Sequence, residues 1–289
     1  MRLTRKLALG VAALSTVLLT PAAATAAGTA APAATPAAAA QEYDEYVALG
    51  DSFASLGSLT KTYLDPRTGC LRSTDNYPAR LADRLGSATF TDATCAGAVT
   101  GGVLDSQLGA LSPQTDLVTL SIGGNDVGFV NIAATCGLLS LTNPFGNPCE
   151  EHYTSGGTDR LAEDIAETRP KVDAVLAAIT DRAPNAEVVV IGYLRILPER
   201  LGCWPLMPIS VDDVGYVNSV QDQLNAMIGA SAHAAGATFV DPSTTRGHDA
   251  CQLPWNRWVD GLLPLSNATP IHPTAAGQRH VAGLVHAGL

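Results

Sequence analysis

The chain has 289 residues, 46% hydrophobic and 15% charged, with a formal net charge of −10. Three of its 17 basic residues (Arg2, Arg5 and Lys6) lie before residue 41 and no acidic residue does, so the remainder carries 27 acidic side chains against 14 basic ones. That balance opposes binding to nucleic acid or to an anionic membrane surface and favours solubility after export.

Arg2, Arg5 and Lys6 form a positive segment, Leu7 to Leu19 an apolar run, and Ala24-Thr25-Ala26 a small-residue cleavage site. These are the three parts of a secretory signal, here residues 1–26. The apolar run is shorter than the roughly 20 residues of a membrane span, so no stable membrane anchoring is expected. Residues 27–40 are almost all Ala, Pro, Thr and Gly, the composition of a linker or propeptide. About 250 residues follow, residues 41–289, a usual size for one α/β domain. A secreted monomer is expected.

Glu45 to Leu49 reads as a buried strand that stops at the turn Gly50-Asp51-Ser52. Tyr77 to Leu85 has helical spacing and Gly86 as its stop. Thr89 to Thr91 is a second strand, and Asp116 to Ile122 a third that ends at a glycine pair. Thr158 to Thr180 is a long helix that Pro170 is expected to kink or divide. Glu187 to Ile191 is a strand, Val211 to Ala235 a helix, Ala237 to Val240 a strand, and Pro273 to His286 a last helix with Pro273 in its first turn. Alternating strands and helices imply a parallel sheet covered by helices, with the site at the strands' carboxyl ends. Ser52, Gly123-Gly124-Asn125, Tyr193 and Asp241 all fall there.

Six cysteines, an even number in an exported chain, point to disulfides. Many connectivities are open; the topologically simplest joins neighbours, Cys70–Cys95, Cys136–Cys149 and Cys203–Cys251. No C-x-x-C pair or Cys/His cluster suggests a metal site, and no cofactor is expected.

Ser52, just past a buried strand, can expose its hydroxyl at the sheet edge, but a serine needs a general base to become a nucleophile. Asn125, behind two glycines, can donate its side-chain amide to a developing oxyanion. Cys95-Ala96-Gly97-Ala98 offers the Gly97 N–H as another donor. Asp126 reads as a helix cap or structural hydrogen-bonder. His272, held between Pro270 and Pro273, suits a general base. His248, beside Asp249, is its competitor, while His152, His233, His280 and His286 sit in helical or flexible polar contexts.

Gly50-Asp51-Ser52, Gly97, Gly123-Gly124-Asn125-Asp126 and His272-Pro273, in this order, resemble the four blocks of the SGNH (G-D-S-L-type) hydrolases. The resemblance implies a three-layer α/β/α sandwich, Ser52 as nucleophile and His272 as base. It also implies an oxyanion hole of the Ser52 and Gly97 N–H groups and the Asn125 side chain. Family members usually place Asp three residues before the histidine; here that residue is Thr269, and Phe53 stands where Leu is usual in the first block. The chain resembles a subset of secreted actinomycete lipases and esterases that use a Ser-His dyad, including its six cysteines. A backbone carbonyl at or near Thr269 would then orient His272, with Asp241 as the alternative.

Hydrolysis of fatty-acyl esters through an acyl-Ser52 intermediate is the expected activity, on a lipid or small ester substrate. Phospholipase, short-chain esterase and acetyl-carbohydrate esterase activities share the same chemistry. The Leu-rich loop Cys136 to Leu141 and the segment Ile196 to Met207 are candidate walls of an acyl groove. Two rivals differ in class: an inactive secreted binding protein, and a metal-dependent hydrolase built on Asp51, Asp241, His248 and Asp249.

Overall fold

Apolar runs with little polar alternation form the strands of the sheet in the computed structural model, which describes residues 43–289. The expected signal (1–26) and linker (27–40) lie outside the described residues. The strands are β1 (Glu45–Gly50), β2 (Thr62–Leu64), β3 (Leu71–Ser73), β4 (Thr89–Asp92), β5 (Leu117–Ser121), β6 (Glu187–Ile191) and β7 (Thr238–Val240). The helices are α1 (Ser52–Ser55), α2 (Tyr77–Leu85), α3 (Thr100–Gly102), α4 (Phe129–Ser140), α5 (Pro148–Thr154), α6 (Arg160–Arg182), α7 (Asp213–Ala234) and α8 (Ala275–Gly288).

Five strands pair in the order β4-β1-β5-β6-β7, every pair parallel. Tyr46 lies opposite Phe90 on one side and Leu117 on the other, and Gly50 opposite Ser121. All of β5, and β1 beyond Glu45, is buried. A strand buried on both faces needs a covering layer on each side of its sheet. Helices α2 and α8 pack together as one pair, and α6 and α7 as another. The α/β fold expected from the order of elements is therefore present. The elements expected for the sheet and for α2, α6, α7 and α8 all form, with ends shifted by a few residues at most.

Three local expectations are corrected. Pro170 does not divide α6, which runs unbroken from Arg160 to Arg182. Both Pro170 and Ala166, whose carbonyl loses its partner, face solvent, so water satisfies that oxygen while Leu161, Ile165, Val172, Leu176 and Ile179 stay packed. Cys136 to Ser140 is the last part of α4, not a loop. Its sequence, apolar on all sides and free of charge, has no polar face to reveal a helical period. Pro273 precedes α8: Thr274 is the cap, its hydroxyl accepting the Gly277 N–H at 3.2 Å, and Pro273 instead bridges to Val259.

The β2–β3 hairpin, too short to be read from sequence, lies outside the sheet. Disulfides join Cys70 to Cys95, Cys136 to Cys149 and Cys203 to Cys251, the simplest of the pairings open to the sequence. The first ties the hairpin to the loop carrying Gly97, the second ties α4 to α5, and the third joins the loops that follow β6 and β7. Peptide mapping without reduction is expected to recover these three links alone, and reduction to lower the melting temperature, each bridge contributing about 2–4 kcal/mol. A crossed pair in the exported protein would contradict the fold.

Candidate active site

The end of β1 is fixed from three directions. The Gly50 carbonyl accepts the Cys95 N–H at 3.0 Å, and the Asp51 N–H donates to the Ser121 carbonyl at 3.0 Å. The buried amide of Gln107 takes the Gly50 N–H at 2.8 Å and donates back to its carbonyl at 2.9 Å. The Asp51 carboxylate then caps α1, accepting the Phe53 N–H at 2.9 Å. Ser52 is the first helical residue, where a backbone N–H has no partner within the helix. Gln278 of α8 holds the far end of α1: its amide donates to the carbonyls of Phe53 and Leu56 at 2.9 and 2.5 Å and accepts the Tyr77 N–H at 2.8 Å.

The loop after β4 turns at Cys95–Ala98, closed by the Ala98 N–H on the Cys95 carbonyl at 3.0 Å. Gly97 holds φ +80 at its third position, a conformation that favours glycine. Among the described residues neither the Ser52 nor the Gly97 N–H is taken by a carbonyl. After β5, Asn125 donates one side-chain N–H to the Ala98 carbonyl at 2.9 Å, joining this loop to the previous one. A primary amide has a second N–H, which remains available. Asp126 accepts from the Thr100 hydroxyl at 2.6 Å and the Thr100 N–H at 3.0 Å, the structural part expected of it.

His272 arrives from the last loop. Its Nε2 lies 2.8 Å from Ser52 Oγ and its Nδ1 2.8 Å from the Pro270 carbonyl oxygen. A carbonyl only accepts, so Nδ1 carries the proton and Nε2 presents a lone pair to the serine hydroxyl. The orienting carbonyl is thus that of Pro270, one residue beyond Thr269; the Thr269 carbonyl accepts the His272 backbone N–H instead, at 3.1 Å. The left-handed backbone of Ile271 (φ 62) accompanies this change of acceptor. Phe53 packs against the imidazole, ring centres 5.3 Å apart. Burial holds the His272 pKa below the usual value of 6.5, opposed by the bond to Pro270. The imidazole is therefore neutral, and able to accept a proton, at neutral pH.

The alternatives are held elsewhere. Asp241 accepts the Ser243 N–H at 2.9 Å and an Asn225 amide N–H at 3.3 Å. His248 stacks on Trp258 and sets Nδ1 2.7 Å from the Asn256 carbonyl. Asp249 accepts from the Cys251 N–H and the Gln252 amide. Among the described residues no three His, Cys, Asp or Glu side chains come together as metal ligands, so the set Asp51, Asp241, His248 and Asp249 is not assembled.

Residues 48–280 match the GDSL-like Lipase/Acylhydrolase family. The chain belongs to that family. It is 39% identical over 250 residues to Lipase 2 of Streptomyces coelicolor, covering 82% of this chain and 83% of the relative. A lipase of Streptomyces rimosus is 37% identical over 281 residues, 96% of each chain. The crystal structure of phospholipase A1 from Streptomyces albidoflavus NA297 superposes with a TM-score of 0.73 at 30% identity, covering 86% of this chain and 100% of that one.

Gln107, Gln278 and the Pro270 carbonyl escaped the sequence reading of this family member. Two are glutamines, Gln107 on an irregular helical turn and Gln278 in the first turn of α8, where nothing local separates a buried amide from an exposed one. The third is backbone, which leaves no mark on residue type.

Asp51 is 1% exposed, and among the described residues it takes part in no salt bridge. Burial pushes its pKa from 3.8 up to about 7, against the bonds from the Tyr193 hydroxyl and the Phe53 N–H, with Asp126 adding repulsion. The folded state therefore binds the proton more tightly than the unfolded one, so this group's contribution to stability is full below about pH 4 and lost as pH rises through about 7. Asp51→Asn removes that dependence. The melting temperature of wild type relative to Asp51→Asn is expected to fall between about pH 4 and pH 7 and to level off above that; a constant difference would show that Asp51 does not titrate in this range. Asp241→Asn is expected to keep its turnover within a few-fold, because a carbonyl orients His272. A loss approaching the roughly 10⁴-fold effect of removing a triad aspartate would contradict that.

Proposed function

We propose that this protein is a secreted serine ester hydrolase that cleaves fatty-acyl esters through an acyl-Ser52 intermediate. The contact of 2.8 Å between His272 Nε2 and Ser52 Oγ carries the reading. His272 takes the Ser52 proton as Oγ attacks the ester carbonyl, and the negative charge forms on the former carbonyl oxygen. The Ser52 N–H, the Gly97 N–H and the free amide hydrogen of Asn125 receive that oxygen. His272 then passes the proton to the departing alcohol. A water molecule, deprotonated by the same nitrogen, attacks the acyl-serine, and collapse of the second tetrahedral species frees the carboxylic acid and restores Ser52.

The wall beside His272 supports an apolar acyl chain. An open groove of about 760 Å³ runs from Thr269–His272 past Val130 and Leu138 of α4, past Leu141 at the end of that helix, and past Leu206, Leu262 and Leu263. Both segments expected to line an acyl groove contribute to this groove or to the adjoining cavity under Phe129. No Lys or Arg lines the groove, which suits an uncharged acyl chain. Three disulfides fit an oxidising, extracellular destination, reached through the expected signal at residues 1–26.

Ser52→Ala and His272→Ala are each expected to abolish hydrolysis of a chromogenic ester with the fold intact. Asn125→Ala is expected to lower turnover by about 10²–10³-fold, as when one oxyanion donor is lost. A serine-directed organophosphonate should label Ser52 stoichiometrically. Near wild-type turnover in the Ser52 variant would overturn the assignment. A series of esters of increasing acyl length should show kcat/KM rising beyond the acetate; a maximum at acetate would instead point to an acetyl esterase.

A further inference from the structure

Tyr193 follows β6, two strands away from β1, yet its side chain ends between the two loops of the site. Its backbone is pinned by one side chain: Asn225 Oδ1 accepts the Tyr193 N–H at 2.9 Å and Asn225 Nδ2 donates to its carbonyl at 3.0 Å. From there the ring passes edge-on to Phe53, with ring centres 4.9 Å apart. The hydroxyl donates to Asp51 Oδ2 at 2.6 Å and accepts the Gly124 N–H at 2.8 Å. One phenol oxygen therefore bridges the residue before the nucleophile and the residue before Asn125.

We propose that Tyr193 is a positioning residue for the oxyanion hole: its hydroxyl clamps the Gly123–Asn125 loop to the Asp51–Phe53 turn, so that the Asn125 amide is held in register with Ser52. The inference rests on the reading of Ser52, His272 and Asn125 given above.

Three observations support it. A Cβ at position 124 would sit 2.9 Å from both Cζ and the hydroxyl oxygen of Tyr193, so only glycine lets the phenol reach this backbone N–H. Asp51 and Tyr193 are 1% and 5% exposed, so water does not compete for the three groups. The bonds also run in one direction, from the Gly124 N–H to the phenol oxygen and from the phenol hydrogen to the carboxylate. Such a chain strengthens both bonds, because the carboxylate makes the phenol oxygen a better acceptor. Packing needs the ring alone; the hydroxyl is needed only for the clamp. Asn125 has two further ties: its side-chain amide donates to the Ala98 carbonyl, and its own carbonyl accepts the Gly128 N–H at 3.1 Å. The second bond closes the turn after β5 on itself, so neither one joins this backbone to the Asp51–Phe53 turn.

Tyr193→Phe keeps the ring and removes the clamp. With a soluble short-chain ester, kcat is expected to fall by about 10–100-fold while KM stays within about twofold, the signature of an interaction made in the transition state. The loss should depend on Asn125. In an Asn125→Ala background, Tyr193→Phe is expected to cost less than about twofold, because the donor that it positions is already gone. Wild-type kcat in Tyr193→Phe, or the same fold-loss in both backgrounds, overturns the clamp. Removing the hydroxyl leaves the Asp51 carboxylate short of a partner, so the cycle is repeated on an Asp51→Asn chain, where no buried carboxylate is stranded. A purely structural role for Tyr193 would lower the melting temperature there and leave kcat per folded enzyme unchanged, which equally overturns the proposal. Full turnover in Asn125→Ala alone is a separate failure, that of the oxyanion reading itself.

Discussion

Strand β1 is hydrogen-bonded along both edges, to β4 on one side and β5 on the other, and both ladders continue past its last residue. The Cys95 N–H reaches the Gly50 carbonyl and the Asp51 N–H reaches the Ser121 carbonyl, so the loops after β4 and β5 begin from fixed points beside Ser52. A parallel sheet places the carboxyl ends of its strands on one side, and loops that leave neighbouring strands there are neighbours in space. Gly97 and Asn125 lie on loops beside Ser52 for that reason, and the Asn125 bond to the Ala98 carbonyl joins those loops directly. Gln107 and Tyr193 reinforce the same corner from outside the ladders, one at Gly50 and the other at Asp51.

The histidine comes from the opposite end of the chain, and its placement depends on packing rather than on the sheet. Gln278 of α8 hydrogen-bonds to α1 and to the start of α2, so the helix that follows His272 is tied to the helix that begins with Ser52. The imidazole then needs only its tautomer fixed, and the Pro270 carbonyl does this. A carbonyl dipole stabilises an imidazolium less than a carboxylate would, and it adds no ionisable group beside Nδ1. Burial without a carboxylate partner also explains why the His272 pKa lies below its ordinary value rather than above it.

The distribution of charge matches the groove. Residues 127–149, 201–211 and 261–278 contain no Asp, Glu, Lys or Arg, in a chain whose net charge is −10. These are the segments that bring Leu138, Leu141, Leu206, Leu262 and Leu263 to the groove beside His272. Several of their large apolar side chains stay exposed, Leu138 at 67% and Phe145 at 76% among them. The acidic residues lie in the other segments of the chain, away from this groove.

Much of this could be read from the chain alone, because local chemistry leaves local marks. Buried strands are apolar runs, α2 ends at Gly86, and strand ends carry the glycines and polar residues of the site, so β1, β4, β5, β6 and β7 and the positions of Ser52, Gly97, Asn125 and His272 were legible. Helix α4 was not, since a segment apolar on every side has no period to show, nor was the continuity of α6 through Pro170, which depends on Ala166 and Pro170 both facing water. Residue type can name a candidate serine, histidine or asparagine, but not the partner of a backbone carbonyl or a buried amide. Sequence therefore named the candidate groups, Ser52, Gly97, Asn125 and His272. Only the tertiary structure decided that Pro270 rather than Thr269 or Asp241 orients His272, and that Tyr193 meets Asp51 and Gly124. Those contacts join residues brought together by packing and by a left-handed turn at Ile271, and neither is encoded in any one segment.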